Sequence, residues 1–118
     1  MASKQYDLEE RTFEFAKKAI ALVKGLSRSL TNVELSRQLV RSAGSVGANY
    51  IEANESLSKK DFVLRVKICR KEAKESRYWL KLVDCSSEQD EERNALIQEV
   101  TELMKIFGSI LEKMKKGK

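Results

Sequence analysis

Not one of the 118 residues is proline. Proline removes a backbone donor and clashes with the preceding turn, costing ~3 kcal/mol inside a helix, so its absence leaves every stretch of this chain open to helix. Charged residues make up 35% and hydrophobic residues 42%, a globular balance rich in the helix formers Leu, Lys, Glu and Ala. Strand signals are missing.

Apolar spacing divides the chain into four helical segments. Residues 7–30 place Phe13, Ala16, Ile20, Val23 and Leu30 on one stripe, with acidic residues early and basic residues late, matching the helix dipole. Thr31 followed by Glu34 reads as a capping box opening a second helix over 32–55, in which Leu35, Leu39, Val46 and Ala53 share a stripe. Asn54 through Ser58 form a polar break, and Ser58 caps a third helix over 59–85. There Phe62, Val66, Cys69, Ala73, Ser76, Leu80 and Val83 form an unbroken heptad seam. Ser86 and Ser87, followed by Glu88, Asp90, Glu91 and Glu92, open a fourth helix over 88–115. Its seam is Leu96, Val100, Leu103, Phe107, Ile110 and Met114, and Lys113, Lys115 and Lys116 lie at its C-terminal end. Four long helices with short connections predict an all-α, antiparallel up-and-down four-helix bundle, a single domain over residues 1–118.

Some helices carry more apolar surface than one seam needs. The first adds Phe15, Ala19, Leu22 and Leu26, and the third adds Ile68, Trp79 and Leu82. Burial of this surplus in a homo-oligomer is one reading; a compact bundle with wide apolar faces is the other.

The chemistry on offer is narrow. The chain has no histidine and only two cysteines, Cys69 and Cys85, so the usual zinc sets and a base to activate either thiol are lacking. Glu52, Glu72 and Glu75 raise the question of an acidic site, but di-iron bundles need Glu-x-x-His pairs, and the interspersed Arg and Lys compete with magnesium for the carboxylates. No catalytic residue, metal or cofactor is expected. The longest apolar run, Ala19 to Val23, is far too short to span a bilayer, and Met1 to Tyr6 has no apolar leader core. A cytoplasmic protein with reduced thiols and no membrane partner is expected.

Gly44 and Gly47 fall inside the second helix, where each costs about 0.5–1 kcal/mol relative to alanine. Gly44-Ser-Val-Gly47 matches the GxxG of single-strand RNA-binding KH loops, but that fold needs strands. Close packing is the favoured explanation, with Ser42, Ala43, Gly44, Ser45, Gly47 and Ala48 letting a neighbouring helix approach. On or beside the same helix's apolar stripe lie Arg37, Gln38, Arg41, Asn49 and Glu52, and Glu72 and Glu75 share a stripe of the third helix with Ile68 and Trp79. Charges of opposite sign near a core are expected to pair, so these residues predict a polar network between helices 2 and 3 that fixes register.

The net charge of +5 is concentrated. Residues 58–86 hold nine basic against four acidic side chains, an excess equal to that of the whole chain. Within that stretch Lys67, Arg70, Lys71, Lys74, Arg77 and Lys81 cluster away from the Phe62–Val83 seam. Such a face neutralises nucleic-acid phosphates, or it is a solvated face balanced by Glu72, Glu75 and the acidic start of helix 4. Tyr78 and Trp79 could stack bases, although Trp79 is expected to pack in the bundle.

The run Leu35-Ser-Arg-Gln-Leu-Val-Arg-Ser-Ala-Gly-Ser-Val-Gly-Ala-Asn-Tyr-Ile-Glu52 resembles the signature of the bacterial four-helix-bundle proteins encoded in intervening sequences of 23S rRNA genes. Lys59-Lys-Asp-Phe62 and Arg70-Lys-Glu-Ala-Lys-Glu-Ser-Arg-Tyr-Trp-Leu80 look like that family's third helix, including its Glu-x-x-Glu segment. The resemblance spans essentially the whole chain. It implies a bundle assembling into a homopentamer and a relationship to the accessory proteins of diversity-generating retroelements, basic pentamers that bind nucleic acid and a reverse transcriptase. Gln38, Arg41, Ser45, Asn49, Glu52, Glu72 and Glu75 match the motif and would be its packing and register positions. Departures are the modest net charge, Tyr50-Ile51 where Ile-Ala is commoner, and Ala53-Asn54 in place of a Gly-containing end. The expectation is a non-enzymatic, oligomeric helical bundle that contacts RNA or DNA through helix 3; the alternative is a protein–protein adaptor whose apolar stripe docks a partner helix.

Overall fold

Serine closes each of the three connections between helices, because its short side chain can accept from the free backbone amides at a helix start. A computed structural model describes residues 4–117, with side chains from residue 8 onward. Residues 1–3, within the stretch read for a leader, lie outside the described residues. The helices are α1 Lys4–Gly25, α2 Leu30–Asn54, α3 Lys59–Leu82 and α4 Ser87–Lys116. Ser29 Oγ accepts the Asn32 amide and Ser58 Oγ accepts the Asp61 amide, both at 3.1 Å. At α4 the Ser86 amide donates to Gln89 Oε1 at 3.0 Å.

α1 starts at Lys4 and α3 ends at Leu82, against expected bounds of 7 and 85, and the largest change lies between α1 and α2. α1 stops at Gly25, not at residue 30, and α2 starts at Leu30 with Ser29 as its cap. Thr31 and Glu34, read as a capping box, lie exposed inside α2. The cause is Asn32, which is buried and ties two loops together. Its Nδ2 donates to the Ser27 carbonyl at 3.2 Å and the Asp84 carbonyl at 3.0 Å, while its Oδ1 accepts the Asp84 amide at 2.9 Å. With Asn32 turned inward, the first helical turn must begin before it.

Short connections reverse the chain three times, so α1 packs on α2 and α4, and α3 packs on α2 and α4, in an up-and-down four-helix bundle measuring 49 × 29 × 20 Å. The expected seams of α3 and α4 form the core: Val66, Cys69, Ala73, Ser76 and Leu80 face Leu96, Val100, Leu103 and Phe107. Tyr50 of α2 reaches across to Phe107, ring centroids 6.1 Å apart.

α1 is the exception. Its core side is Leu8, Thr12, Phe15, Ala19, Leu22 and Leu26, the second stripe, whereas Phe13 is 59% exposed and Ile20 39% exposed. The two stripes are about equally apolar, and what separates them is shape. Thr12 sits where α1 crosses Gly47, and its hydroxyl donates back to the Leu8 carbonyl at 2.8 Å, so a polar residue fits the tightest point of the contact. α1 is held to α4 by Arg11, whose Nε and Nη2 donate to the two carboxylate oxygens of Glu99 at 3.0 and 2.9 Å, with Glu102 accepting at 3.0 Å. These carboxylates hold the Arg11 guanidinium above its ordinary pKa.

Candidate nucleic-acid interface

α3 has two flanks with different neighbours. On one, Arg65 Nη1 donates to Asn49 Oδ1 at 3.0 Å and Ser76 Oγ donates to Ser42 Oγ at 2.8 Å, so this flank meets α2. On the other, Arg77 Nη1 donates to Thr101 Oγ1 of α4 at 3.2 Å. The basic residues belong to the α4 side and the solvent arc beyond it. At 100° per residue, Lys67, Arg70, Lys71, Lys74, Arg77 and Lys81 fall within an arc of roughly 120° and extend about 21 Å along the helix axis. Lys67, Arg70, Lys71, Lys74 and Lys81 are exposed, and Arg77 is half-buried against α4.

None of these six cations is in an ion pair among the described residues. The ion pairs among the described residues are Arg11 with Glu99 and Glu102, and Arg93 with Asp90. Glu72 and Glu75 are half-buried; Glu75 borders the basic arc one turn on from Lys71, and Glu72 lies further round toward α2. The flank therefore presents more positive than negative charge to water, with Glu75 the acid at its edge. Tyr78 lies inside the arc, one turn from Lys74 and two from Lys71, and is 59% exposed. Its ring meets the edge of Trp79 at a centroid distance of 5.0 Å and an interplanar angle of 70°. Trp79 is half-buried and packs against the core, as expected.

The residues expected to form a polar network are brought together only in part. Asn49 is a true hub: its Nδ2 donates to the Ser45 carbonyl at 2.9 Å and Ser45 Oγ at 3.0 Å, and its Oδ1 receives Arg65. Arg37, Arg41 and Glu52 are exposed on the outer side of α2, and Gln38, Glu72 and Glu75 are half-buried. No ion pair joins the arginines to the glutamates among the described residues; Arg37, Arg41 and Glu52 stand in water, where a charge needs no partner. Glu72 Oε1 is buried with no hydrogen bond. Arg65, Ser42 and Ser76 make the connections between α2 and α3 instead; their serine hydroxyls sit on the apolar seam, where spacing alone reads them as small core residues.

The two glycines also part company. A Cβ on Gly47 would stand 3.1 Å from Thr12 Oγ1 and 3.3 Å from Thr12 Cβ, so α1 approaches closely there. A Cβ on Gly44 would meet nothing within 4 Å. Gly44 is exposed, and no helix of the chain packs on it.

Neither cysteine has the setting of a nucleophile. Cys69 is fully buried, and burial pushes its thiol up to about 12. Burial likewise raises Cys85. Among the described residues no group of three or more His, Cys, Asp or Glu side chains could hold a metal ion, and no helix is long and apolar enough to cross a membrane.

The family model described as 23S rRNA-intervening sequence protein matches residues 4–109. A solved structure of a protein of unknown function from the S23 ribosomal protein family of Bacteroides thetaiotaomicron VPI-5482 is similar over 93% of this chain and 99% of that one, with 32% sequence identity and a TM-score of 0.81. No curated protein matches the chain.

Proposed function

The chain belongs to the 23S rRNA-intervening sequence protein family, and we propose that it is a non-enzymatic, oligomeric helical bundle that binds RNA or DNA through the basic flank of α3. The observation that carries this reading is the clustering of cations without ion pairs on that flank, among the described residues. Five exposed cations and Arg77 share one arc, with no ion pair to any of them among the described residues. Phosphate contacts would release counterions and give salt-sensitive, largely sequence-independent affinity.

The oligomer, a homopentamer by the family resemblance, is supported by a strip of apolar surface along α1 and α2. Phe13 and Ile20 stand beside α2, whose exposed side bears Val40, Gly44 and Ile51. A second copy covering this strip would remove it from water, and ring symmetry would repeat the basic flank around one assembly. The strip also favours the second reading, a protein adaptor whose partner, such as a reverse transcriptase, docks there.

Paired substitutions separate the two readings. Lys71→Ala with Lys74→Ala is expected to weaken binding of a labelled RNA about tenfold at low salt, whereas Lys17→Ala with Lys18→Ala on α1 leaves it unchanged. Equal binding by both double variants would move the contact off α3, and no binding by the unsubstituted protein would leave the adaptor reading.

A further inference from the structure

The basic flank carries an aromatic side chain that a purely electrostatic surface does not need. Tyr78 lies within the arc, with Lys74 four residues before it, Lys71 seven before it and Lys81 three after it, and with Glu75 three before it at the arc's edge. It is 59% exposed, yet its ring is not loose. The edge contact with Trp79 ties it to a residue that is itself packed on the core. Leu82, one turn on, is also exposed at 47% and extends the apolar patch beside the ring. A supported aromatic face among cations is the arrangement that stacks a base while its neighbours hold the phosphates on either side. A duplex keeps its base faces within its own stack and would leave the ring idle, whereas unpaired nucleotides expose them.

Resting on the nucleic-acid reading above, we propose that Tyr78 is a base-stacking platform and that the α3 flank selects unpaired nucleotides over duplex. The lysines supply attraction that any nucleic acid would feel. Tyr78 supplies the preference, because only a single-stranded segment can offer it a base. Its hydroxyl has no part in the stacking.

The test is anisotropy titration of the full chain with a labelled, unstructured single-stranded RNA and with the same RNA annealed into a blunt duplex. Tyr78→Ala is expected to weaken single-strand binding roughly 5- to 150-fold while leaving duplex binding and the salt dependence of both unchanged. Tyr78→Phe should behave as the unsubstituted protein. Lys71→Ala with Lys74→Ala should weaken both ligands and flatten the salt dependence. Wild-type single-strand affinity in Tyr78→Ala, with the lysine variant still impaired, would overturn the stacking role and leave the basic interface standing. A loss in Tyr78→Phe equal to that in Tyr78→Ala would likewise overturn it, since the aromatic face is retained. Absence of binding to either RNA by the unsubstituted protein would remove both proposals. Trp79, the chain's single tryptophan, gives an emission signal that checks the fold of each variant and reports ring stacking next to it.

Discussion

Ser76 of α3 donates its hydroxyl to Ser42 of α2 at 2.8 Å, inside the core. The Ser42 hydroxyl is in turn placed to donate to the Leu39 carbonyl at 3.3 Å. Two small polar side chains thus let α2 and α3 approach while satisfying each other in a place water does not reach. Removing one partner is expected to destabilise more than removing both in proportion. Ser76→Ala should lower the urea midpoint by the equivalent of about 1 kcal/mol. Ser42→Ala with Ser76→Ala should lose less than the sum of the single changes, and Ser76→Leu should lose a further ~1–3 kcal/mol by overpacking. Strict additivity in this cycle would show that the hydroxyls do not interact.

Asn32 braces the end of the bundle where the α1–α2 and α3–α4 loops meet. Replacing it by alanine removes the acceptor of the part-buried Asp84 amide and releases the Ser27 and Asp84 carbonyls. A loss of roughly 1–3 kcal/mol follows from the lost bonds of the buried Asn32 side chain. Thermal unfolding monitored by helicity checks it, and a change below about 0.5 kcal/mol, the scale of ordinary surface positions, would contradict the brace.

The two glycines of α2 predict opposite outcomes. Gly44→Ala gains helix propensity without a clash and should stabilise the isolated subunit by about 0.5–1 kcal/mol. Gly47→Ala must push Thr12 aside, and Thr12 is pinned by its bond to Leu8; the same propensity gain is then cancelled or reversed. If a second copy covers the strip beside Gly44, the first substitution will also lower the oligomer's mass in sedimentation, which a monomeric protein cannot do.

Alkaline pH should unfold the protein earlier than its ion pairs suggest. The Cys69 thiol titrates near 9 when unfolded but is pushed up to about 12 by burial. Between those values the unfolded chain releases a proton that the folded chain keeps. Stability is therefore complete below about pH 9 and falls as pH rises toward 12, by up to ~1.4 kcal/mol per pH unit. Burial also raises Tyr50, adding a second loss of the same sign above its usual range. Cys69→Ala should flatten the first part of that decline, measured as urea midpoint against pH.

The parts of the fold legible in the sequence are those where one stripe is clearly more apolar than its alternatives. Phe62 to Val83 is the longer of two apolar sets on α3, and Leu96 to Phe107 the seam of α4; both pack into the core, with Phe62 half-buried. α1 offers two, and the choice between them depends on Gly47 of another helix, which periodicity within α1 cannot contain. The start of α2 was hidden similarly: Thr31 and Glu34 have the better local capping pattern, but burial of Asn32 by a loop more than fifty residues away decides the cap. At the candidate interface, spacing shows that the cations of α3 cluster. It does not show that Tyr78 is exposed while Trp79 is packed, because this depends on which flanks α2 and α4 occupy.

The central claim, that the α3 flank binds nucleic-acid phosphates, is tested most directly by titrating labelled single-stranded RNA with the full chain across a salt series. With the five exposed cations of one subunit engaged, log affinity against log salt should fall with a slope of about −3 or steeper. An affinity that does not change with salt, or no binding at the lowest salt, would contradict the account and leave the basic arc as a solvated face.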